Sequence, residues 1–291
     1  MLILILTIRV IFRSGGTMKP LCFGALPAET AIHAAHQAQA GLTGPPRILD
    51  GDMGYFSTAA TSIDYGVLYG PAWGLASVTR KVHSCCGHTH SGLDGNSFTA
   101  IVLSILTLLV LGLVALRTTS PTWPPAKLEI GLPANIIQTV GGKSHPPTTP
   151  NEARFHMPYL LAVITASPSP VSSILPHHIL DRDAFLADPA VVRAMASISF
   201  FEAFDQDTFY HSSIVRATFA DGEVKEVVTT SPKGSPGNPL DELGVEAKFE
   251  ALVVPVAGKV RSGEIRDAVL GLETAADLRP LWKLVGGEWA V

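Results

Sequence analysis

Residues 213–230 constrain the fold of this chain most strongly, because apolar and polar side chains alternate on both sides of an Asp-Gly pair. The segment reads SIVRATFADGEVKEVVTT, with Asp221 and Gly222 near its centre. A period of two residues places alternate side chains on opposite faces of an extended strand. Asp-Gly is typical of the two-residue turns that join antiparallel strands. The segment therefore predicts a β-hairpin with a two-residue loop.

The segments around this hairpin indicate a mixture of helices and strands. A second alternating stretch, KLEIGL at 127–132, predicts another strand. Periodic apolar residues, with Pro near the start or Gly near the end, predict helices. The predicted helices cover residues 27–41, 152–166, 188–197, 240–254, 260–270 and 275–284, and Pro158 is expected to disturb the first half of the second one. We therefore predict an α+β fold.

Composition excludes several classes of function. The 291 residues are 47% hydrophobic and 16% charged, so the chain can bury a sizeable core. A net charge of -4 without a run of Lys and Arg provides no site for nucleic acid or for an anionic membrane surface. Three cysteines without a secreted-domain pattern indicate free thiols in a reducing compartment, the cytoplasm or the mitochondrion.

Two apolar runs raise the question of a membrane segment. Residues 1–12 contain an arginine and lack a cleavage site, so they make a poor signal peptide. Residues 95–116 are 22 residues without a charge, enough to cross a bilayer core of about 30 Å. Thr99, Ser104 and Thr107 would form a mildly polar stripe on such a helix, which also suits the core of a large domain. A single membrane span therefore stays open as the less favoured alternative.

The densest cluster of reactive side chains is KVHSCCGHTH at 81–90. In an extended backbone Cys86, His88 and His90 would point to the same face and could form a single site. A zinc site would need a second pair of ligands at short spacing, which the other histidines do not supply. Neighbouring cysteines on opposite faces of a strand are poor disulfide partners, so a packing role is favoured over redox chemistry. A catalytic histidine and a pair of buried, hydrogen-bonded histidines both stay open.

Further segments, taken in order with this cluster, carry a family resemblance. They are GGTMKPLCFG at 15–24, GLTGPPRILDGDMGYF at 41–56, EARFHMPY at 152–159, FDQD at 204–207, IVRATFADGEVKEVV at 214–228 and PKGSPGNP at 232–239. The ordered set resembles the MmgE/PrpD superfamily, which includes 2-methylcitrate dehydratase and cis-aconitate decarboxylase. The resemblance covers about residues 14–94 and 127–286 of the chain.

The resemblance implies an architecture that periodicity alone does not. Members of the superfamily have a large all-helical domain and a smaller α/β lid domain, usually in a homodimer. On this pattern residues 1–75 are a remnant of the helical domain, and residues 76–239 are the lid with its β-hairpin and an apolar insert at about 98–125. Residues 240–291 are helices that return to the helical domain. We expect an N-terminally truncated member that pairs with a second copy or with a full-length homologue.

The resemblance also implies lyase chemistry without a metal or an organic cofactor. The substrate would be a small tricarboxylic acid, either 2-methylcitrate losing water or cis-aconitate losing carbon dioxide. Each reaction needs a proton-transfer group, and cations or donors that hold the carboxylates. His90 matches the position implicated in proton transfer, and Lys19 matches a lysine that contacts a substrate carboxylate. Tyr159 matches a hydroxyl that reaches the substrate, and His88 is expected to support the substrate site.

Two departures from the family pattern affect the expected activity. Cys22 stands where members commonly have His after the KPL triplet, and a thiol carries no positive charge at neutral pH. The other site residues of the family, an aspartate, a threonine and histidines, belong to the N-terminal helical domain and have no counterpart here. Groups that act as a unit lose most of their rate when one is missing. The chain by itself is therefore expected to be inactive or to depend on a partner.

Overall fold

The computed structural model describes residues 24–68, 70–71, 74–94, 116, 123–143, 145–168, 173–181, 185–205 and 211–286. The chain divides into two compact units, Met1–Val78 and Thr79–Val291. Lys19 and the apolar runs at 1–12 and 95–115 lie outside the described residues.

The first unit contains short helices joined by turns. Helix α1 spans Leu26–Gln39, with Pro27 in its first turn, close to the bounds that the sequence predicts. Helices α2 (Tyr55–Ala59) and α3 (Tyr65–Leu68) follow, and a 3-10 turn covers Gly74–Ser77. No residue of α1 is buried, and Ile32 is 59% exposed. Helix α1 therefore presents apolar side chains to its surroundings.

The described strands of the second unit form one four-stranded sheet in the order β2-β1-β3-β4. The strands are β1 (Lys127–Leu132), β2 (Ile198–Glu202), β3 (Ser213–Thr218) and β4 (Val224–Thr229). Strand β1 pairs parallel with β2 and antiparallel with β3, so the sheet is mixed. The predicted α+β class is confirmed, and β1 coincides with the predicted strand KLEIGL.

The predicted hairpin forms, but its two-residue loop is wrong. Thr218 is paired with Val224, and the Phe219 amide donates to the Glu223 carbonyl at 2.8 Å, which leaves a loop of three residues. A type I′ turn needs a positive φ at both central residues, whereas only Gly222 has one, at 87°. The chain instead forms a turn closed by the Gly222 amide on the Phe219 carbonyl, with glycine in the left-handed position.

The helices of the second unit follow the predicted order with sharper breaks. They are α4 (Gly87–Leu93), α5 (Ala134–Ile136, continued by a π turn at Ile137–Gly141), α6 (Pro150–Arg154), α7 (Met157–Ala166), α8 (His177–Leu180), α9 (Pro189–Met195), α10 (Glu242–Leu270) and α11 (Arg279–Val285), with a 3-10 turn at Leu272–Thr274. Pro158 lies in the first turn of α7, where its missing N–H costs nothing, so the predicted helix divides before it. A non-helical Gly258 kinks α10 between its two predicted halves.

The core of the second unit lies between the sheet and α7. Leu128, Ile130 and Leu132 alternate along β1 and are fully buried. Every residue of α7 from Met157 to Thr165 is buried too, as expected for a helix that is apolar on all sides. Helix α7 contacts α4, α9 and β2, and α4 also contacts β3. Helix α4, which carries His90, is therefore part of this core.

Across the described ranges, we find no helix that is both long and apolar enough to span a membrane.

Candidate active site

The histidine cluster enters a short helix, so the extended backbone expected for Cys86, His88 and His90 is wrong. Cys86 is extended (φ -62°, ψ 137°) and precedes α4, which carries both histidines. Residues two apart on a helix do not face each other, so the two imidazoles point to different sides. His90 is 2% exposed, whereas His88 is half-buried and lies with its ring centroid 6.2 Å from that of His211.

The two cysteines pack inside the core as free thiols. Thr89 donates its hydroxyl proton to the Cys86 carbonyl at 2.7 Å, so the Cys85 thiol donates to Thr89 Oγ1 at 3.0 Å. Burial raises the pKa of Cys85 to about 12, which keeps the sulfur protonated at neutral pH. Because the thiolate is the reactive form, this environment agrees with the predicted packing role.

A buried hydrogen-bonded pair, His83 and Asp94, lies beside His90. The two histidine rings meet edge to face, with centroids 4.9 Å apart and planes 78° apart. His83 Nδ1 accepts the Ile174 amide at 2.9 Å, so the proton of the neutral ring is on Nε2, which donates to Asp94 Oδ1 at 2.9 Å. Residues 83, 94 and 174 are therefore held in one polar cluster.

His90 has one nitrogen without a hydrogen-bond partner in the described part of the chain, its Nε2. Burial lowers the pKa of His90 to about 2, and the charge of Lys81 acts in the same direction. Hydrogen bonds to the backbone at His83 and Cys85 oppose this shift. Because burial disfavours its charged form, the His90 ring is neutral at neutral pH.

Tyr159, predicted to contact substrate, lies in the core of the second unit. Its side chain is 1% exposed, and its hydroxyl donates to the His178 carbonyl. Burial raises the pKa of Tyr159, so the hydroxyl stays protonated. The structure brings His83, His90 and Asp94 together, and it joins the Tyr159 hydroxyl to the His178 carbonyl. The substrate contacts of Lys19, His88 and Tyr159 stay predictions.

A metal site needs several His, Cys, Asp or Glu side chains close together. Within the residues that the structure describes, no three His, Cys, Asp or Glu side chains lie close enough together to hold a metal ion.

Sequence reasoning missed His83 and Asp94, which complete the environment of His90. His83 belongs to the cluster at 81–90, but Asp94 lies eleven residues further along the chain, and Ile174 is 91 residues away. No spacing rule connects positions so far apart. The only available signal was the presence of an acidic residue just after a helix that carries histidines.

Comparison with known proteins identifies the family of the chain. The profile of the MmgE/PrpD C-terminal domain matches residues 125–274, just over half of the chain. A cis-aconitate decarboxylase-like protein of Aspergillus oryzae is 22% identical over 286 residues, which covers 91% of this chain and 54% of that protein. The chain thus spans about half the length of this curated relative. With the match to the family profile, the chain belongs to the MmgE/PrpD superfamily.

Proposed function

We propose that this chain is a cofactor-free lyase that acts on a small tricarboxylic acid, with His90 as its proton-transfer group. The observation that carries the proposal is the buried His90 ring, whose Nε2 makes no hydrogen bond to any described residue. Family membership supports the class of reaction, and the relative named as cis-aconitate decarboxylase-like supports the class of substrate.

A neutral imidazole with a free Nε2 is suited to removing a proton. In dehydration, His90 Nε2 takes the proton next to a carboxylate, the carbon–carbon double bond forms, and the hydroxyl leaves with a proton from a second group. In decarboxylation, the carbon–carboxylate bond breaks, carbon dioxide leaves, and a His90 that has taken a proton from solvent gives it to the carbanion. A polyanionic substrate favours the charged ring and raises its pKa from about 2 towards the working range.

The remaining proposed contacts hold the substrate. Lys19 pairs with a substrate carboxylate as a compact positive charge. His88, half-buried on the first turn of α4, and Tyr159, from α7, are the proposed hydrogen-bonding groups. No metal or organic cofactor takes part in this proposal.

The direct test is turnover of 2-methylcitrate and of cis-aconitate by the purified chain, with products identified by NMR. His90→Gln removes the ionisable ring with a small change in volume, and His36→Gln on the exposed face of α1 is the matched control. We expect His90→Gln to lower kcat by a factor on the order of 10² to 10⁴, the usual contribution of a positioned acid or base. We expect His36→Gln to change kcat little.

Two results would contradict the proposal. A folded His90→Gln variant as active as the unmodified chain would make the histidine structural. An unmodified chain that is folded and turns over neither acid, by itself or together with a catalytically inactive full-length homologue, would show that it does not catalyse this chemistry.

Exposed apolar side chains on the last helices favour a second candidate, a non-catalytic subunit that associates with a full-length homologue. Leu243, Val260 and Leu270 of α10 are 75%, 79% and 76% exposed, and Trp282 of α11 is 61% exposed. Isolated exposed apolar residues are common on protein surfaces, but a group of large ones on neighbouring helices is typical of an interface. Helices α10 and α11, which carry these residues, contact each other.

Co-expression with a tagged full-length member of the superfamily tests this candidate. We expect the chain to co-purify at a fixed ratio, and Val260→Lys to reduce the recovered amount by placing a charge in the interface. The matched control is Lys259→Arg, which keeps the adjacent charge. A chain that runs as a monomer and never co-purifies would exclude the candidate.

A further inference from the structure

The ring of His83 cannot turn without losing a hydrogen bond at each nitrogen. Its Nδ1 accepts the Ile174 amide, and its Nε2 donates to Asp94 Oδ1, both at 2.9 Å. Protonation of Nδ1 would place an N–H against the Ile174 N–H, so the geometry requires the neutral form with its proton on Nε2. His83 is 1% exposed, so its hydrogen bonds are shielded from bulk water. His83 is therefore fixed in orientation and in tautomer.

Asp94 is held as firmly as His83. Its Oδ2 accepts the Lys233 amide at 3.0 Å, and its backbone carbonyl accepts the Thr229 hydroxyl at 2.8 Å. The carboxylate is 3% exposed, so its hydrogen bonds replace the water that it lost on folding. The Asp94 amide also donates to the His90 carbonyl at the end of α4.

His83 and Asp94 contact different parts of His90. The His83 ring packs edge to face on the His90 ring, which restricts its rotation. The Asp94 amide fixes the backbone of His90 through the carbonyl of the same residue. The His83 backbone contributes a hydrogen bond to His90 as well. His83 and Asp94 thus restrain both the ring and the backbone of His90.

From this geometry we infer that His83 and Asp94 are positioning residues for His90: they hold its ring in one orientation and one tautomer, with Nε2 making no hydrogen bond to the described residues. The inference deepens the proposed function and rests on it for its catalytic meaning. A purely structural role, tying residues 83, 94, 174 and 233 together, would leave the tautomer and the titration of His90 unaffected in a folded variant. The two roles therefore differ in a measurable way.

The test is NMR of the full chain labelled with ¹⁵N-histidine, which reports the protonation of each ring nitrogen without substrate. Comparison with His90→Gln assigns the His90 signals. His83→Gln keeps a donor for Asp94 but removes the ring that packs on His90, and Asp94→Asn removes the charge. In both variants we expect His90 to exchange between tautomers, and in His83→Gln, where the ring packed on His90 is gone, we also expect His90 to titrate closer to the ordinary histidine pKa of about 6.5. His156→Asn, at another buried histidine, is the control and should leave the His90 signals unchanged.

A folded His83→Gln variant in which His90 keeps one tautomer and the wild-type titration would overturn the inference. If neither variant folds, the wild-type spectrum decides. A His83 protonated on Nδ1, or a His90 that exchanges between two tautomers, would contradict the inference. A single fixed tautomer at each histidine would support the inference. Failure of the lyase proposal is seen separately, as an absence of turnover. If turnover is present, we expect His83→Gln to lower kcat more than it changes KM.

Discussion

Replacement of Gly234 by alanine should destabilise the second unit through a backbone contact next to the histidine cluster. Gly234 lies in the loop after β4 with a φ of 88°, and its carbonyl accepts the Arg80 amide at 2.7 Å. A Cβ at this position would lie 1.8 Å from the Arg80 carbonyl oxygen. Real contacts of this kind are never so short, so the two backbone segments must separate.

The expected loss has two parts. An L-residue in the left-handed region costs about 1–2 kcal/mol. Separation of the segments breaks the Arg80–Gly234 hydrogen bond, which contributes about 0.5–1.5 kcal/mol. We therefore expect Gly234→Ala to lower the free energy of unfolding by about 1.5–3.5 kcal/mol.

Gly222→Ala separates these two parts. Gly222 has almost the same φ, 87°, but nothing lies within 4 Å of a Cβ added there. This variant should lose only the conformational part, about 1–2 kcal/mol. Gly263→Ala, in the helical second half of α10 with open space around it, should gain up to about 1 kcal/mol.

Urea unfolding followed by circular dichroism measures all three variants. The contact with Arg80 predicts the order Gly263→Ala, Gly222→Ala, Gly234→Ala from most to least stable. Equal losses for Gly234→Ala and Gly222→Ala would refute the reasoning, because the close approach of Arg80 would then contribute nothing.

Two further predictions concern helix starts. Burial lowers the pKa of His156 to about 4 in the folded chain, against about 6.5 in the unfolded chain. Between these two values the unfolded state binds more protons than the folded state. The free energy of unfolding therefore falls as the pH drops from about 6.5 to about 4, by on the order of 3 kcal/mol. His156→Asn keeps an acceptor for the Tyr159 amide but cannot gain a proton. Its free energy of unfolding should therefore fall less between pH 7 and pH 4 than that of the unmodified chain. An unchanged fall would contradict the role of His156 in the acid sensitivity. Asp188→Ala removes the acceptor of the Ala190 amide at the start of α9 and should cost about 1 kcal/mol in thermal unfolding. Glu250→Ala, at an exposed position on α10, is the control and should change the free energy of unfolding by no more than about 0.5 kcal/mol. A similar change in Asp188→Ala and Glu250→Ala would argue against a capping role for Asp188.

The sequence by itself determined the elements whose signals are local. Alternation predicted β1 and both strands of the hairpin, because a period of two is a property of neighbouring residues. Asp188 and Pro189 predicted the start of α9, since a cap and a fixed φ act within one turn. The ordered motifs were sufficient for the superfamily, and the cluster at 81–90 located His90 as a candidate.

The tertiary structure decided whatever depends on distant partners. Seven residues with two glycines have little helical preference of their own, so the contacts of α4 with α7 and β3 make 87–93 a helix and turn His88 away from His90. The hairpin loop has three residues because Glu223 pairs with Phe219, and not with Ala220 as a two-residue Asp-Gly loop would require. The environment of His90 combines Asp94 and Ile174, which a sequence pattern cannot connect because folding alone brings them to His83.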